Sequence, residues 1–166
     1  MTIKLQNKHT PLIGIISDTH DFLHPMAVKA LKNTDLIIHA GDINGHILLS
    51  TLQSIAPVVA VRGNMDKGKW ALELSETEIV EVGEMLLYVL HDLNKLDIDP
   101  AAAGFSAVIS GHSHCPFCEK TNGVLFLNPG SASLPRSNHT ASIAMMYVHE
   151  RSLDIKFIEL DNCSGY

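Results

Sequence analysis

Short apolar runs recur along the first half of this chain, and each of them ends in a polar corner. Residues 12–17 lead into an Asp-Thr-His sequence, residues 36–40 lead into Gly-Asp, and residues 58–62 lead into Gly-Asn. A short run that is apolar on both faces predicts a buried strand of a covered sheet. The three runs are therefore predicted to be strands that end at polar loops.

Two helices are predicted between these strands. Residues 25–33 begin with a proline, which suits the first turn of a helix, and residues 46–55 end shortly before Pro57. The order strand, helix, strand, helix, strand is typical of parallel strands joined by right-handed crossovers. We therefore expect an α/β arrangement with parallel strands in this half of the chain.

The second half of the chain is richer in predicted strands. Residues 78–82 and 85–90 flank a glycine and are predicted to form a hairpin. A short helix is predicted at residues 101–103. Further strands are predicted at residues 107–110, 124–127, 142–149 and 153–160.

The composition fits a single domain, residues 1–166, with a polar N-terminal tail at residues 1–10. A hydrophobic fraction of 46% is sufficient for a sizeable core. The net charge of -6 argues against the basic surface that non-specific nucleic-acid binding requires. No apolar stretch has the length of a membrane helix, no secretory signal is evident and only 3 cysteines are present. We therefore expect a cytoplasmic protein that does not bind membranes.

Seven residues of metal-ligand type lie just after the ends of predicted strands. They are Asp18, His20, Asp42, Asn64, His91, His112 and His114. Because ligands of open α/β sheets bind beyond the carboxyl ends of the strands, we expect these side chains to converge. Imidazole nitrogens combined with carboxylate and amide oxygens suit Mn, Fe, Zn or Ni better than Ca. Seven ligands exceed the needs of one tetrahedral ion, so the sequence predicts a two-metal centre with a shared carboxylate, typical of phosphoester hydrolysis.

Five ordered motifs resemble those of the calcineurin-like metallophosphoesterases. They are Asp18-Thr19-His20, Gly41-Asp42, Gly63-Asn64, the strand-end His91 and Gly111-His112-Ser113-His114. Residues 63–66, 128–131 and 135–136 also resemble the small bacterial and archaeal phosphodiesterase branch of this family, which is YfcE/MJ0936-like. The resemblance implies an α/β fold, namely a four-layer α/β/β/α sandwich with mixed sheets. It also implies a hydrolase that cleaves a small phosphodiester by attack of a metal-bridging hydroxide.

The resemblance further implies a role for each matching residue. The first ion would be held by Asp18, His20 and His114, the second by Asn64, His91 and His112, and Asp42 would bridge the two. The implied catalytic residues are Asp42, Asn64 and His91, and the implied substrate contacts are Asn64, Asn128, Ser131, Arg136 and His139. We expect two divalent ions, Mn first and Ni, Fe, Zn or Mg as alternatives. Members of this family often self-associate, so a homodimer or homotetramer is expected.

Three residues depart from the family pattern. Asp21 stands where a glycine usually follows the first motif, and Asp92 replaces the glycine that usually follows the strand-end histidine. Met65 stands where the phosphomonoesterase and protein-phosphatase branches carry a histidine thought to protonate the leaving group. Without that general acid, the chain is expected to favour diesters with good leaving groups.

Two other functions remain open at this point. The chain resembles the retromer subunit Vps29, which works as a non-catalytic adaptor, but an adaptor does not need the whole set of ligand-type residues. A phosphomonoesterase or protein phosphatase is disfavoured by Met65.

Three other features have simpler explanations than metal or nucleotide binding. His39 is expected to pack in the core or support nearby ligands, and Cys115 and Cys118 are expected to be packing residues. Residues 63–69 imitate a nucleotide-binding phosphate loop, but Trp70 stands where that loop needs Ser or Thr.

Overall fold

Two mixed β-sheets pack face to face, and the polar corners lie at one edge of this sandwich. The computed structural model describes residues 3–5, 10–136 and 138–160. In chain order, the strands are β1 (Ile3–Leu5), β2 (Leu12–Ile16), β3 (Leu36–His39), β4 (Val58–Ala60), β5 (Thr77–Val82), β6 (Met85–Leu90), β7 (Ala107–Ile109), β8 (Phe117–Thr121), β9 (Val124–Asn128), β10 (Ser142–Val148) and β11 (Leu153–Glu159). The α-helices are α1 (Pro25–Leu31) and α2 (His46–Gln53), and short 3₁₀ helices cover Lys69–Glu73 and Leu93–Lys95.

The five-stranded sheet contains the predicted β-α-β-α-β unit. Its strand order is β11-β10-β2-β3-β4, in which β2, β3 and β4 run parallel. The strand β10 is antiparallel to both β2 and β11, so the sheet is mixed. Parallel pairing of β2, β3 and β4 brings their carboxyl ends to the same edge of the sheet.

Both α-helices cover the outer face of the five-stranded sheet. Leu31 of α1 and Leu52 of α2 are fully buried in one apolar cluster with Ile16 and Ile37 of the sheet. The side chain of His24 caps α1, because its Nδ1 accepts a hydrogen bond from the N–H of Met26 at 3.1 Å.

The six-stranded sheet covers the other face of the five-stranded sheet. Its strand order is β1-β5-β6-β7-β9-β8. The strands β6, β7 and β9 run parallel, whereas β5 is antiparallel to β6 and β8 is antiparallel to β9. Alternate residues of the facing strands, such as Ile13 and Ile15 of β2 and Leu87 and Val89 of β6, form the apolar core between the sheets.

The outer face of the six-stranded sheet is covered by turns and a 3₁₀ helix. Tyr88, Leu90 and Phe105 belong to a third apolar cluster, against which Leu93 and Leu96 pack. In the part of the chain that the structure describes, this fourth layer contains no α-helix. The predicted fold class, an α/β sandwich with mixed sheets, is confirmed.

The prediction of a helix at residues 101–103 is wrong. Residues 99–105 form a single turn, in which the N–H of Ala103 donates to the carbonyl of Asp99 at 3.0 Å and Oδ1 of Asp99 caps the N–H groups of Ala101 and Ala102 at 3.0 and 3.1 Å. Gly104, with a φ of 82°, then reverses the chain. Alanine propensity alone therefore gave the wrong prediction here.

Two strands were not predicted from the sequence. Residues 3–5, inside the segment expected to be a polar tail, form β1 and pair in parallel with β5. The strand β8 is an edge strand whose residues are mostly exposed, so it lacks the apolar pattern that identifies buried strands.

Among the described residues, no helix has both the length and the apolar character needed to cross a bilayer.

Candidate metal centre

The backbone at the polar corners takes a left-handed conformation that residues other than glycine rarely adopt. Five of the seven predicted ligands have a positive φ: Asp18 (54°), His20 (46°), Asp42 (57°), His112 (66°) and His114 (59°). Such conformations cost on the order of 1 kcal/mol each and concentrate at functional sites. The fold therefore holds these side chains in orientations that a helical or extended backbone would not give.

Two glycines let corners from the two sheets approach closely. A Cβ at Gly41, where φ is 95°, would lie 2.7 Å from Nδ1 of His91. A Cβ at Gly111 would collide with the hydroxyl of Ser17 and would lie 2.8 Å from Oδ2 of Asp18. Each glycine thus brings a motif of one sheet against a motif of the other, which is why residues distant in sequence share one site.

Asp18, His20 and His114 form the first cluster of ligand-type groups. Asp18 is fully buried, and its Oδ1 lies 3.2 Å from Nε2 of His114. The Nε2 atoms of His20 and His114 are 3.5 Å apart. One ligand atom from each of the three residues lies within 4.8 Å of the other two, which is close enough for a shared ion.

The other ring nitrogens of these histidines are held by neighbouring groups. Nδ1 of His114 donates to the carbonyl oxygen of Leu134 at 2.6 Å, so a neutral His114 has its lone pair on Nε2. Nδ1 of His20 lies 3.3 Å from the side-chain amide nitrogen of Asn44. If the side-chain amide of Asn44 is turned over, its oxygen faces Nδ1 of His20 and accepts the proton on that nitrogen. Nε2 of His20 is then free to bind a metal.

Asp42 and His91 form a second cluster with Asp18. Nδ1 of His91 donates to the carbonyl oxygen of Ala40 at 2.7 Å, which turns Nε2 toward the site. That Nε2 lies 3.4 Å from Oδ2 of Asp42. Ligand atoms of Asp18, Asp42 and His91 also lie within 4.8 Å of one another, so Asp18 belongs to both clusters.

Asn64 connects His112 to the second cluster. Its Oδ1 lies 3.0 Å from Nε2 of His91 and 3.0 Å from Nδ1 of His112. The backbone N–H of His112 also donates to Oδ2 of Asp18 at 3.1 Å. All seven predicted ligands are therefore joined in one connected group at the edge of the sandwich.

The pKa values in this group reflect mutual stabilisation of opposite charges. Burial raises the pKa of Asp42, but hydrogen bonds from His91 and from the N–H of Met65 outweigh burial and hold the pKa below its ordinary value. Burial lowers the pKa of His91, but its interaction with Asp42 outweighs burial and raises the pKa. The contact with Asp18 raises the pKa of His114 more than burial lowers it. Without metal, the neighbouring carboxylates therefore favour the protonated form of these imidazoles.

Asp66 supports two of the metal corners at once, and sequence reasoning did not assign it this role. Its carboxylate accepts four backbone hydrogen bonds of 2.8 to 3.0 Å, from the N–H groups of Asp42, Ile43, Asn44 and Gly63. Only 6% of Asp66 is exposed, so these bonds are sheltered from water. The signal was present in the sequence, because Asp66 belongs to the Gly-Asn-Met-Asp segment at residues 63–66.

His39 is a buried supporting residue and does not belong to either ligand cluster. Its Nδ1 accepts a hydrogen bond from the N–H of Gly41 at 3.2 Å, so its Nε2 donates to the hydroxyl of Thr19 at 2.9 Å. Burial lowers the pKa of His39 to about 3. This neutral ring links the Asp18 corner to the Asp42 corner, as expected for support of nearby ligands.

Two of the expected substrate contacts lie beneath the site. Asn128 is 1% exposed, and its amide donates to the carbonyl of Gly111 at 2.7 Å and to the hydroxyl of Ser113 at 3.0 Å. Ser131 is fully buried, and its hydroxyl donates to the backbone carbonyl of Asp18 at 2.9 Å. Both residues use their polar groups inside the protein, so they support the corners and do not face a substrate.

The remaining expected substrate contacts are at the surface. Asn64, Arg136 and His139 are exposed. Arg136 lies near enough to His114 to lower its pKa, although the contact with Asp18 is the largest influence on that histidine. These three side chains are therefore accessible to a molecule that approaches the ligand clusters.

The residues that depart from the family pattern lie around the clusters. Asp21 is exposed, and its N–H donates to the carbonyl of Ile43 at 2.8 Å. Oδ2 of Asp92 lies 3.9 Å from Nε2 of His112. Met65 is 46% exposed, and its thioether carries no proton that could be donated. Cys115 and Cys118 are free thiols outside both ligand clusters. Cys115 is half-buried, but Cys118 is exposed, so the expectation that both are packing residues does not hold for Cys118.

The donor set fits divalent metal ions. Oδ1 of Asp18 is buried and accepts no well-directed hydrogen bond among the described residues, although it faces His114. A buried carboxylate oxygen of this kind is costly unless a cation or a strong donor satisfies it. Histidine nitrogens whose opposite ring atoms are hydrogen-bonded, as in His91 and His114, are the usual ligands of Mn, Fe, Ni and Zn.

Comparison with known proteins identifies the family. Residues 12–151 match the model of the calcineurin-like phosphoesterase superfamily domain. A protein of Methanocaldococcus jannaschii named as a probable metallophosphoesterase is 39% identical over 165 residues, covering 92% of this chain and 83% of that protein. The phosphodiesterase MJ0936 of the same organism is 29% identical over 137 residues, covering 71% of this chain and 82% of its own length.

Solved structures with the same fold include a predicted phosphoesterase and a vacuolar protein sorting protein. A conserved protein of Streptococcus pneumoniae, described as a predicted phosphoesterase, superposes with a TM-score of 0.76 at 25% identity, covering 93% of this chain and 92% of its own. Vacuolar protein sorting 29 from Cryptosporidium parvum superposes with a TM-score of 0.75 at 19% identity, covering 93% and 100%, a likeness that extends to the fold alone. With the family model matching most of its length, the chain belongs to the calcineurin-like phosphoesterase superfamily.

Proposed function

We propose that this protein is a phosphodiesterase that uses two divalent metal ions to hydrolyse a small phosphodiester. The main support for this proposal is the convergence of Asp18, His20, Asp42, His91 and His114 from both sheets, with Asp18 in both clusters. Asn64 and His112 are joined to this group by hydrogen bonds. Water would supply one oxygen to phosphorus while the bond between phosphorus and one alcohol oxygen breaks, giving a phosphomonoester and an alcohol.

Each ion would be held by residues from more than one corner. Asp18, His20 and His114 would hold the first ion, and Asn64, His91 and His112 would hold the second. Asp42 is proposed to bridge them, since one of its ligand atoms lies within 4.8 Å of ligand atoms of both Asp18, which belongs to the first cluster, and His91. When bound, divalent ions supply Lewis acidity that activates water near neutral pH and neutralises phosphoryl charge.

The protein's own contribution would be positioning. Ala40 and Leu134 hold the rings of His91 and His114 through their carbonyl oxygens, so neither ring needs to reorient when a metal binds. The exposed amide of Asn64 and the exposed guanidinium of Arg136 would contact phosphoryl oxygens. Fixed donors of this kind stabilise the charge that develops in the transition state.

A diester substrate is proposed because the site offers no clear proton donor to a leaving alcohol. The exposed thioether of Met65 stands at the position where the phosphomonoesterase branch of the family carries a histidine. A diester with a good leaving group needs little protonation of the departing oxygen. The relative MJ0936, which carries the name phosphodiesterase, is also similar to most of this chain.

The alternative function is a non-catalytic adaptor, which the likeness to vacuolar protein sorting 29 brings into consideration. An adaptor does not require left-handed backbone at five ligand-type residues, nor histidine rings whose free nitrogens face buried carboxylates. An adaptor would also show no turnover with any metal.

An assay of metal-stripped protein separates these functions. Mn, Ni, Zn and Mg would each be added back to the stripped protein, with bis-p-nitrophenyl phosphate and p-nitrophenyl phosphate as substrates. We expect metal-dependent hydrolysis that is faster for the diester, and loss of both metal binding and hydrolysis in Asp42→Ala. Asp154→Ala, on the exposed part of β11, is the matched control. Absence of turnover with every metal would contradict the proposal, and faster cleavage of the monoester would contradict its substrate class.

A further inference from the structure

A cavity of about 550 Å³ opens directly beside the second half of the candidate metal centre. Asn64, His91 and His112 line this cavity together with Arg62, Thr77 and Lys95. Cavities of this size accommodate small organic groups. A phosphate held at the ligand side chains would therefore have room for one of its alcohol arms in this cavity, which we name the arm pocket.

The cations of the arm pocket are already close to carboxylates. The guanidinium of Arg62 forms an ion pair with Glu76 at 2.7 Å. Lys95 adds to the effect of Arg62 in stabilising the charge of Glu76, and it also stabilises that of Asp92. Apart from the ligand-type histidines, the described lining contains four carboxylates and these two cations, so carboxylates outnumber the fixed positive charges there.

Some carboxylate oxygens of the lining remain available as hydrogen-bond acceptors. Oδ1 of Asp92 accepts from the backbone and side-chain nitrogens of Asn94 at 3.0 Å, but Oδ2 lies 3.9 Å from Nε2 of His112, beyond hydrogen-bond distance. Asp97 supplies a further exposed carboxylate. The carboxylate of Asp66, in contrast, is fully used by backbone N–H groups.

Apolar side chains form another part of the lining. Tyr88 and Leu90 of β6 are 8% and 3% exposed, and the ring of Tyr88 packs edge to face against Phe105 at 5.1 Å between centroids. This wall is held by the third apolar cluster, so its shape does not depend on a bound molecule. The arm pocket thus combines a rigid apolar wall with acidic acceptors.

We infer that the arm pocket binds the alcohol arm that stays on phosphorus, and that it selects arms carrying hydroxyl or ammonium donors and no second anionic group. The inference rests on the proposed phosphodiesterase function and deepens it. Asp92 and Asp97 would accept hydrogen bonds from the donors, and the wall at Tyr88 would pack against the carbon chain. Hydroxyl and ammonium arms share this donor chemistry, and substrates that carry one or the other distinguish them.

A series of p-nitrophenyl phosphodiesters with one leaving group tests this inference. The second arm would be propyl, 2,3-dihydroxypropyl, 2-aminoethyl or 2-carboxyethyl, and the readout is kcat/KM of the metal-loaded protein. We expect kcat/KM for at least one ester with a donor-bearing arm to exceed that of the propyl ester by about tenfold, which is the effect of one good hydrogen bond. The carboxyethyl ester should have the lowest kcat/KM. The better of the two donor arms identifies the type of substrate.

Substitutions locate the effect in the arm pocket. Asp97→Ala and Asp92→Ala should each lower the ratio of the donor arm to the propyl arm, whereas Asp154→Ala, 70% exposed on β11, should keep the wild-type ratio. Titration calorimetry with 2,3-dihydroxypropyl, 2-aminoethyl and propyl phosphates gives a second readout that does not depend on turnover. We expect tighter binding of the donor-bearing monoester that matches the preferred substrate.

The possible failures are distinguishable. Hydrolysis of all four esters with equal kcat/KM, or a preference for the carboxyethyl arm, would overturn the inference about the arm pocket and leave the phosphodiesterase function intact. A preference for donor arms that neither Asp92→Ala nor Asp97→Ala reduces would also overturn it. Failure of the metal-loaded protein to hydrolyse any of the esters would overturn both proposals together.

Discussion

Nε2 of His114 lies 3.2 Å from Oδ1 of Asp18, although the two residues follow strands of different sheets. This contact joins the sheets at the candidate metal centre and places a buried carboxylate against an imidazole nitrogen that also lies 3.5 Å from Nε2 of His20. The pair is suited to share a cation, and without metal the contact with Asp18 raises the pKa of His114.

Metal binding should therefore release protons and weaken at low pH. The contact with Asp18 raises the pKa of His114, and the interaction with Asp42 raises the pKa of His91 against the effect of burial. Below these raised values the rings are protonated and must lose a proton before a metal binds. We expect Mn affinity to fall by up to about tenfold per pH unit for each proton displaced as pH falls from 7.5 to 5.5. Calorimetry in buffers of different ionisation enthalpy measures the protons released, and a pH-independent affinity would contradict the prediction.

Asp66→Asn should destabilise the protein and weaken metal binding. The amide that replaces one carboxylate oxygen cannot accept the backbone hydrogen bonds now made to that oxygen, so buried N–H groups lose their acceptor. We expect a loss of about 3 kcal/mol in the free energy of unfolding, measured by urea denaturation with EDTA present. The surface variant Asp154→Asn should change this free energy by less than about 0.5 kcal/mol. Equal stability of the two variants would show that Asp66 does not hold the corners.

The sequence predicted the parts of the fold that buried apolar runs determine. Each strand of the β-α-β-α-β unit is a run of this kind, so its position and parallel direction followed from the sequence. The edge strand β8 and the strand β1 could not be predicted, because neither has an apolar pattern of its own. Each of them forms by pairing with a neighbouring strand. The segment at residues 101–103 stops at one turn because Gly104, with a φ of 82°, reverses the chain.

The convergence of the ligand-type side chains also followed from sequence, because they lie at the carboxyl ends of neighbouring strands. Whether a polar residue faces outward or supports the site from beneath did not follow. Asn128 and Ser131 were expected to contact substrate but are buried under the corners, where glycines allow the backbones to approach. Their burial depends on the packing of the two sheets, which local sequence does not specify.

His39 should make the stability of the metal-free protein depend on pH. Its folded pKa of about 3 lies below its ordinary value of 6.5, so its contribution is fully present above pH 6.5 and is lost as pH falls toward 3. Between pH 6 and 5, the unfolding free energy should fall more steeply in the wild type than in His39→Gln, by about 1.4 kcal/mol per pH unit. His91 and His114, with raised pKa values, act in the opposite direction but affect both proteins equally. Identical slopes, from urea denaturation with EDTA present, would argue against a buried neutral His39.

Met65→His should shift the preference toward monoesters. The side chain of Met65 is 46% exposed, and its backbone N–H donates to Oδ1 of Asp42 at 2.8 Å, so a histidine here would be close to the site and able to supply a proton. We expect about a tenfold or greater rise in the ratio of monoester to diester hydrolysis. Met65→Leu, which has no titratable group, is the control. An unchanged ratio in Met65→His would show that leaving-group protonation does not limit the reaction.

Seven side chains from both sheets are proposed to hold a pair of divalent ions. Anomalous diffraction from crystals grown with excess MnCl₂ tests this arrangement directly. We expect two manganese peaks about 3.5 to 4 Å apart, with Asp42 between them, one beside Asp18, His20 and His114 and the other beside Asn64, His91 and His112. A map with no manganese at these residues, or with the seven side chains directed away from a common point, would contradict it.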